Sequence, residues 1–288
     1  MSDIGLPFFP LLDSVHSSLT PKQRKIAAYL RGNYREAVFH SLARAASEAG
    51  VSEASIIRFA RALGYDGFSD MQAAIQEYVS ASMQTTVERY RSFDHTGGAG
   101  TMWESLTETN VRILQSLPQL VSPMEAEEFA STLKQYSRIL VTGFESTAAF
   151  AEYTSYYLSR AGYPAETVTE KSGNLYPLLQ RTGEDTLVLS LMVARYPGAV
   201  VQFCRSCCEK GARLAVISDT PEHPLRDRTS FQFSVAARRS EGMNFDCHIA
   251  MLSFLQLLML QVGLSDRDIT RRALDSLEEF NRTFRIYD

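Results

Sequence analysis

The chain has 288 residues, 45% of them hydrophobic, which is enough to bury more than one core. Its 29 basic residues against 33 acidic ones leave a formal charge of -4, so the molecule as a whole has no nucleic-acid footprint and any basic surface has to be local. The opening "MSDIGLPFFPLLDSV" does not read as a secretory signal, and the longest apolar stretch, Ile249 to Leu264, is broken by Ser253, Gln256, Gln261 and Gly263 and falls short of the roughly 20 residues a bilayer-spanning helix needs. The expectation is a soluble, cytoplasmic protein with no membrane partner.

From Leu19 to about Tyr90 the apolar period is helical throughout. "TPKQRKIAAYLRGN" starts with Thr20 as N-cap and Pro21 at the first helical position, where proline is tolerated. "LARAASEAGVSEASIIRFARALG" follows, and its pattern matches what two helices crossing at a sharp turn require. The first helix, Leu42 to Ala49, stops at Gly50, which supplies the left-handed residue of the turn, and Ala45, Ala46 and Ala49 allow close approach. In the second helix Val51, Ile56, Phe59, Ala60 and Leu63 form an inner face, leaving Ser52, Ala54, Ser55, Arg58 and Arg61 on or near the outer one. Arginine suits guanine edges and phosphates, and serine suits either, so this face has the chemistry of a recognition helix. Between Pro21 and Ala62, eight basic residues (Lys22 and Arg44 among them) outnumber three acidic ones, a local excess in an acidic chain. The plain alternative is a solvated helical face.

The glycines of "SFDHTGGAGT", Ser92 to Thr101, mark a linker. Helical stretches at about Met102 to Leu117 and Pro123 to Gln135 come next. Continuous apolar runs then alternate with helices: "RILVTG" from Arg138, "DTLVLSL" from Asp185 and "ARLAVISD" from Ala212, with "SFQFSVA" from Ser230 and a weaker "AETVTE" from Ala165. Such runs describe parallel strands covered on both faces, with a ligand crevice at their carboxyl ends. The final stretch, Ser265 to Phe284, is a charged helix. Cys204, Cys207, Cys208 and Cys247 lack the second pair or neighbouring histidines of a zinc site, so they are expected to be reduced packing residues, with no metal and no cofactor.

"LTPKQRKIAAYLRGN" with "SLARAASEAGVSEASIIRFARALGYDGFSDMQ" resembles the N-terminal domain of the RpiR family of bacterial transcription regulators, at Leu19 to Ile26, Ala46 to Val51, Ser52 to Phe59, and Gly64, Tyr65, Gly67 and Phe68. The resemblance implies an all-α helix-turn-helix domain over residues 1–92, a linker over 93–104, and over 105–288 an α/β SIS (sugar isomerase) domain, a parallel five-stranded sheet sandwiched by helices. It also implies binding of a near-palindromic double-stranded DNA operator as a homodimer or homotetramer, with Lys22, Arg44, Ser52, Ser55, Arg58 and Arg61 as DNA-contacting candidates.

In the family, loops after the strands hold phosphorylated sugars or related metabolites. Here the first loop reads "GFEST", in which Gly143, Ser146 and Thr147 match the family's GxGSS in kind while Glu145 replaces its second glycine and adds a negative charge. The second reads "SLMVARYPG", keeping Ser190 but putting Met192 where a second serine is usual. Arg195 and Tyr196 stand there instead, suited to a carboxylate or another planar anion that arginine grips with two hydrogen bonds. Arg195 could equally pair with Glu145. Ser218, Asp219 and Thr220 either line the crevice or cap a turn. In "SEGMNFDCHI" Glu241 or His248 is within reach of a ligand, and Lys171 and Ser172 are weaker candidates. The effector-binding set is therefore Glu145, Ser146, Thr147, Ser190, Arg195, Tyr196, Thr220 and Glu241, for a small anionic metabolite, either a sugar phosphate or a carboxylated compound.

The rival classes are a sugar-phosphate isomerase on the same fold, with Glu145, Glu241 or His248 as base, and a protein-binding adaptor. An isomerase does not need a linked helix-turn-helix unit, and the hydroxyl-rich loops are degraded here, so a non-enzymatic sensor is expected.

Overall fold

The computed structural model describes residues 8–15, 18–83, 98–236 and 245–286, which fall into two compact units. The linker residues before Gly98 lie outside the described residues.

The first unit is helical: α1 (Phe8–Ser14), α2 (Pro21–Ala37), α3 (Leu42–Glu48), α4 (Glu53–Ala62) and α5 (Phe68–Met83). Local chemistry sets each boundary. Thr20 forms a capping box with Gln23, the hydroxyl accepting from the Gln23 N–H while Oε1 of Gln23 accepts from the Thr20 N–H at 2.8 Å. Ser41 caps α3 through the Arg44 N–H. The helix then stops as its glycine dictates: Gly50 sits at φ 63°, its N–H donates to Ser47 O and that of Val51 to Ala46 O, which satisfies two carbonyls left over at the helix end. Gly64 ends α4 in the same way. Ala45, Ala46 and Ala49 are buried at the crossing, and Ile56, Phe59, Ala60 and Leu63 form the buried side of α4. Phe59 is fully buried, worth roughly 1.5–3 kcal/mol relative to leaving it in water.

The second unit begins with α6 (Ala99–Leu120) and α7 (Pro123–Thr132), followed by a short 3-10 turn, Leu133–Gln135. Then come β1 (Arg138–Gly143), α8 (Ala148–Arg160), β2 (Ala165–Val168), α9 (Tyr176–Gln180), β3 (Thr186–Met192), α10 (Gly198–Glu209), β4 (Arg213–Ser218), β5 (Phe231–Ser234), α11 (Phe245–Ser265) and α12 (Arg267–Phe284). The strands form one all-parallel sheet in the order β2-β1-β3-β4-β5, with Leu140 opposite Glu166 and Val188, and Ser190 opposite Thr142 and Val216. Parity divides the core. Ile139, Val141, Leu187, Leu189, Leu191, Ala215 and Ile217 share a cluster with residues of α7, α8 and α11, while Leu140, Val188, Leu214 and Val216 pack with Val200, Phe203, Cys204 and Cys207 of α10. Burial pushes the Cys204 thiol up to about 12 and the Cys207 thiol to about 11, so neither is a thiolate at neutral pH.

α11 has the length and apolarity of a membrane-crossing helix, but Ala250, Met251, Phe254, Leu255, Leu258 and Val262 on one side are fully buried in this core. The strand order reverses between β1 and β3, so the crevice at a parallel sheet's carboxyl edge falls between the loops after those two strands.

Candidate nucleic-acid interface and ligand crevice

Ser52 is the N-cap of α4 at φ -80° and ψ 153°, yet its hydroxyl makes no bond to the helix backbone. It lies 2.9 Å from the Ser55 hydroxyl, and Ser55 in turn accepts from Nη2 of Arg58 at 3.4 Å. Three of the predicted DNA-contacting side chains are thus joined in one chain of hydrogen bonds. Ser55 differs from the expectation that it faces outward: it is 8% exposed, because its position in the first turn of α4 turns it toward the helix's packed side. Ser52 and Arg58 are exposed. Arg61 is exposed too, with Nε donating to the Asp66 carbonyl at 3.3 Å just beyond the helix end. Lys22 and Arg44 stand exposed in the first turns of α2 and α3.

What holds this reading frame was not legible in the sequence. Gln72 of α5 donates to the carbonyls of Ala37 (3.2 Å) and His40 (2.8 Å), and Gln76 donates to Val38 O at 3.1 Å. The Tyr29 hydroxyl meets Nδ1 of buried His40 at 2.7 Å. These bonds tie α2 and α5 to the segment that launches α3.

In the second unit the predicted crevice residues separate into open and committed groups. Glu145 and Ser146 are exposed after β1. Glu145 occupies φ 57°, the left-handed region that favours glycine, and its N–H donates to Oε2 of Glu170 after β2 at 3.2 Å. The Ser146 hydroxyl is 3.2 Å from Nε2 of His248, whose ring lies 5.5 Å from that of Phe150, so the β1 loop and the start of α11 meet here.

Thr147 is buried; its hydroxyl accepts from the Phe144 N–H and stands 3.0 Å from the carbonyl of Leu191, linking the ends of β1 and β3. Ser190 is fully buried and accepts from Thr142 at 3.0 Å on the α10 side of the sheet. Thr220 is buried and accepts from the Glu222 N–H in a tight turn. Strand parity and turn geometry thus direct these three hydroxyls inward, to partners within the protein.

Arg195 is exposed at the end of the β3 loop. Tyr196 donates its hydroxyl proton to Oδ1 of Asp219 at 2.9 Å, and the Ala194 N–H donates to Oδ2 at 3.2 Å. Buried Asp219 thus clamps the β3 loop to the end of β4, a role distinct from the crevice lining and the turn cap expected from sequence. Glu241 lies outside the described residues. Lys171 is exposed, and Ser172 accepts from the Thr169 N–H. Clefts of about 650 Å³ between α8 and α12, and about 440 Å³ at the amino ends of β1 and β2, are lined by other residues.

Residues 8–82 match the model of the helix-turn-helix domain of the rpiR family, and residues 132–261 match that of the SIS domain. The chain belongs to the RpiR family of transcriptional regulators. An uncharacterized HTH-type transcriptional regulator of Clostridium perfringens is 20% identical over 87% of this chain and 90% of its own length. YfhH, an uncharacterized HTH-type transcriptional regulator of Escherichia coli, is 25% identical over 88% and 93%. The Vibrio vulnificus NanR protein, in a structure complexed with ManNAc-6P, superposes with a TM-score of 0.57 at 17% identity, covering 96% of this chain and 98% of that one. At that identity the likeness is one of fold.

Proposed function

We propose that this RpiR-type regulator reads a near-palindromic DNA operator with paired α4 helices, as a homodimer or homotetramer in the cytoplasm, and that a small anionic metabolite in the SIS-domain crevice alters operator affinity. The observation that carries the DNA reading is α4 itself. A buried inner face and two glycine-ended turns fix a short helix whose exposed side offers Ser52, Arg58 and Arg61. Lys22 and Arg44 supply phosphate contacts that orient without specifying sequence.

For the crevice, the exposed guanidinium of Arg195 and the exposed Ser146 hydroxyl, beside His248, suit a carboxylate or a phosphoryl oxygen. Tyr196, Thr147, Ser190 and Thr220 support the loops around it. Glu145 faces an incoming dianion with like charge, which favours a singly charged carboxylate over a phosphate. The ManNAc-6P bound to NanR keeps sugar phosphates in the field. Coupling to DNA requires that the ligand bind one arrangement of the protein better than another.

Two measurements on the full chain test this. Selection from a random-sequence duplex pool is expected to enrich a site with two half-sites, whose affinity falls steeply with salt and whose discrimination is lost in Arg58→Ala. Thermal-shift screening of sugar phosphates against carboxylated metabolites is expected to give a response that Arg195→Ala removes. Failure to enrich any sequence would sink the regulator reading, and a response indifferent to Arg195 would sink the crevice assignment.

A further inference from the structure

Thr20, Ser41 and Ser122 each accept a backbone N–H of the helix they open, whereas the N-cap hydroxyls of Ser52 and of Thr147, which is turned to the Phe144 N–H and the Leu191 carbonyl, do not. The Ser52 hydroxyl is turned instead toward the helix interior. Ser52 reaches the buried Ser55 hydroxyl, which also takes the Arg58 guanidinium. Donor and acceptor inventory fixes the Arg58–Ser55 bond and leaves the Ser52–Ser55 bond able to run either way. A guanidinium only donates, so Ser55 oxygen accepts from Arg58, and the Ser55 proton is free to point at Ser52 oxygen. In that arrangement Ser52, exposed and accepting, has its own O–H to donate outward.

We propose that Ser55 is a positioning residue for DNA discrimination: from inside the helix packing it holds Arg58 in register and polarises Ser52 as a donor toward an acceptor on the DNA. Major-groove acceptors of this kind are the N7 and O6 atoms of guanine, N7 of adenine and O4 of thymine. Neither outward side chain is then free to rotate at the moment of binding, which lowers the ordering cost of the contact. The inference rests on the DNA reading above but does not depend on any ligand in the crevice.

The test is a double-mutant cycle on the full chain. The probes are the duplex enriched by the wild-type protein from a random-sequence pool and the same duplex with its half-sites scrambled. The readout is the ratio of the two affinities. Ser55→Ala is expected to lower that ratio about tenfold while the melting temperature stays close to wild type. Ser55→Thr, which keeps the hydroxyl, is expected to restore it. In the Arg58→Ala background, Ser55→Ala is expected to change the ratio by no more than about twofold, since its route to the DNA is already gone. A merely structural serine would instead weaken both probes alike, or multiply its effect onto Arg58→Ala, and either result overturns the proposal. If the wild-type chain enriches no sequence, the DNA reading and this inference fall together; if it enriches one and Ser55→Ala keeps full discrimination, the inference alone falls.

Discussion

Gly143 closes β1 where the chain turns into the crevice. A Cβ there would stand 2.3 Å from the Thr147 carbonyl oxygen and 2.8 Å from its carbon, distances that no backbone tolerates without moving. Thr147 is the residue whose hydroxyl spans to Leu191, so the shift would be passed to the β3 loop. Gly143→Ala is therefore expected to cost about 1–3 kcal/mol through overpacking and to abolish any ligand-induced thermal shift. A differential-scanning melt superimposable on wild type would contradict this. The same neighbourhood shows what was hidden at this scale. Gly143 and Arg195 could be picked out because their chemistry is unusual for their place. The direction of Ser190 could not, because a strand buried on both faces has no polar side to betray its parity. Glu170 and Gln72 were missed for a related reason: each acts by bonding a backbone group distant in sequence, which leaves no local pattern.

The connection after β4 shows how an element's interior fixes its response to pH. Ser218 donates to Thr220 O, the Glu222 N–H donates to Thr220 Oγ1, and Glu222 pairs with Arg226. Buried His223 accepts the Leu225 N–H on Nδ1 at 3.2 Å, which leaves its ring proton on Nε2. Burial, with the Arg226 charge adding to it, lowers His223 from 6.5 to about 4. The folded protein thus binds fewer protons than the unfolded chain between those values, so stability is full above about 6.5 and declines as pH falls toward about 4. At about 1.4 kcal/mol per pH unit the loss amounts to about 2–3 kcal/mol by pH 4.5. Urea unfolding at pH 4.5 and pH 7 should show that difference, and His223→Asn, which keeps an acceptor for Leu225 without a titrating ring, should narrow it; an equal difference in both proteins would refute the assignment. The elements themselves were largely readable. β1 was expected with the bounds it has, and the other strands moved by a few residues at their ends, where pairing frays and a boundary is softest. α1 was missed because "FFPLLDS" carries Pro10, which reads as a breaker, although proline in the first turn removes no helical hydrogen bond.

At the scale of the molecule, the change from helical to strand-like texture announced two kinds of architecture, but not which surfaces remain uncovered. α11 carries no charged residue from Cys247 to Ser265, so its sequence reads as a core helix all round. Packing against α6 and α7 decides otherwise: Leu257, Leu260 and Leu264, at i, i+3 and i+7, are left exposed on one face, the last two at 66% and 61%. α6 adds Trp103 at 72% exposure and Leu106 at 43%. Exposed apolar stripes of this kind mark interaction sites, and the proposed pairing of recognition helices on a near-palindromic operator needs a twofold partner. Pairing also matters energetically. Two linked half-site contacts gain about 10²- to 10⁴-fold over one through effective concentration, with no new base contact. The double variant Leu260→Glu, Leu264→Glu places charges on an already solvent-facing stripe, so the fold is expected to survive with unchanged circular dichroism. Sedimentation velocity is expected to show dimers or tetramers for the wild type and monomers for this variant. Affinity for a two-half-site duplex should fall at least 100-fold, while affinity for a single half-site stays within about threefold. A variant that sediments like wild type would place the self-association elsewhere than on α11. A monomeric variant with undiminished two-site affinity would mean that each α4 finds its half-site unaided.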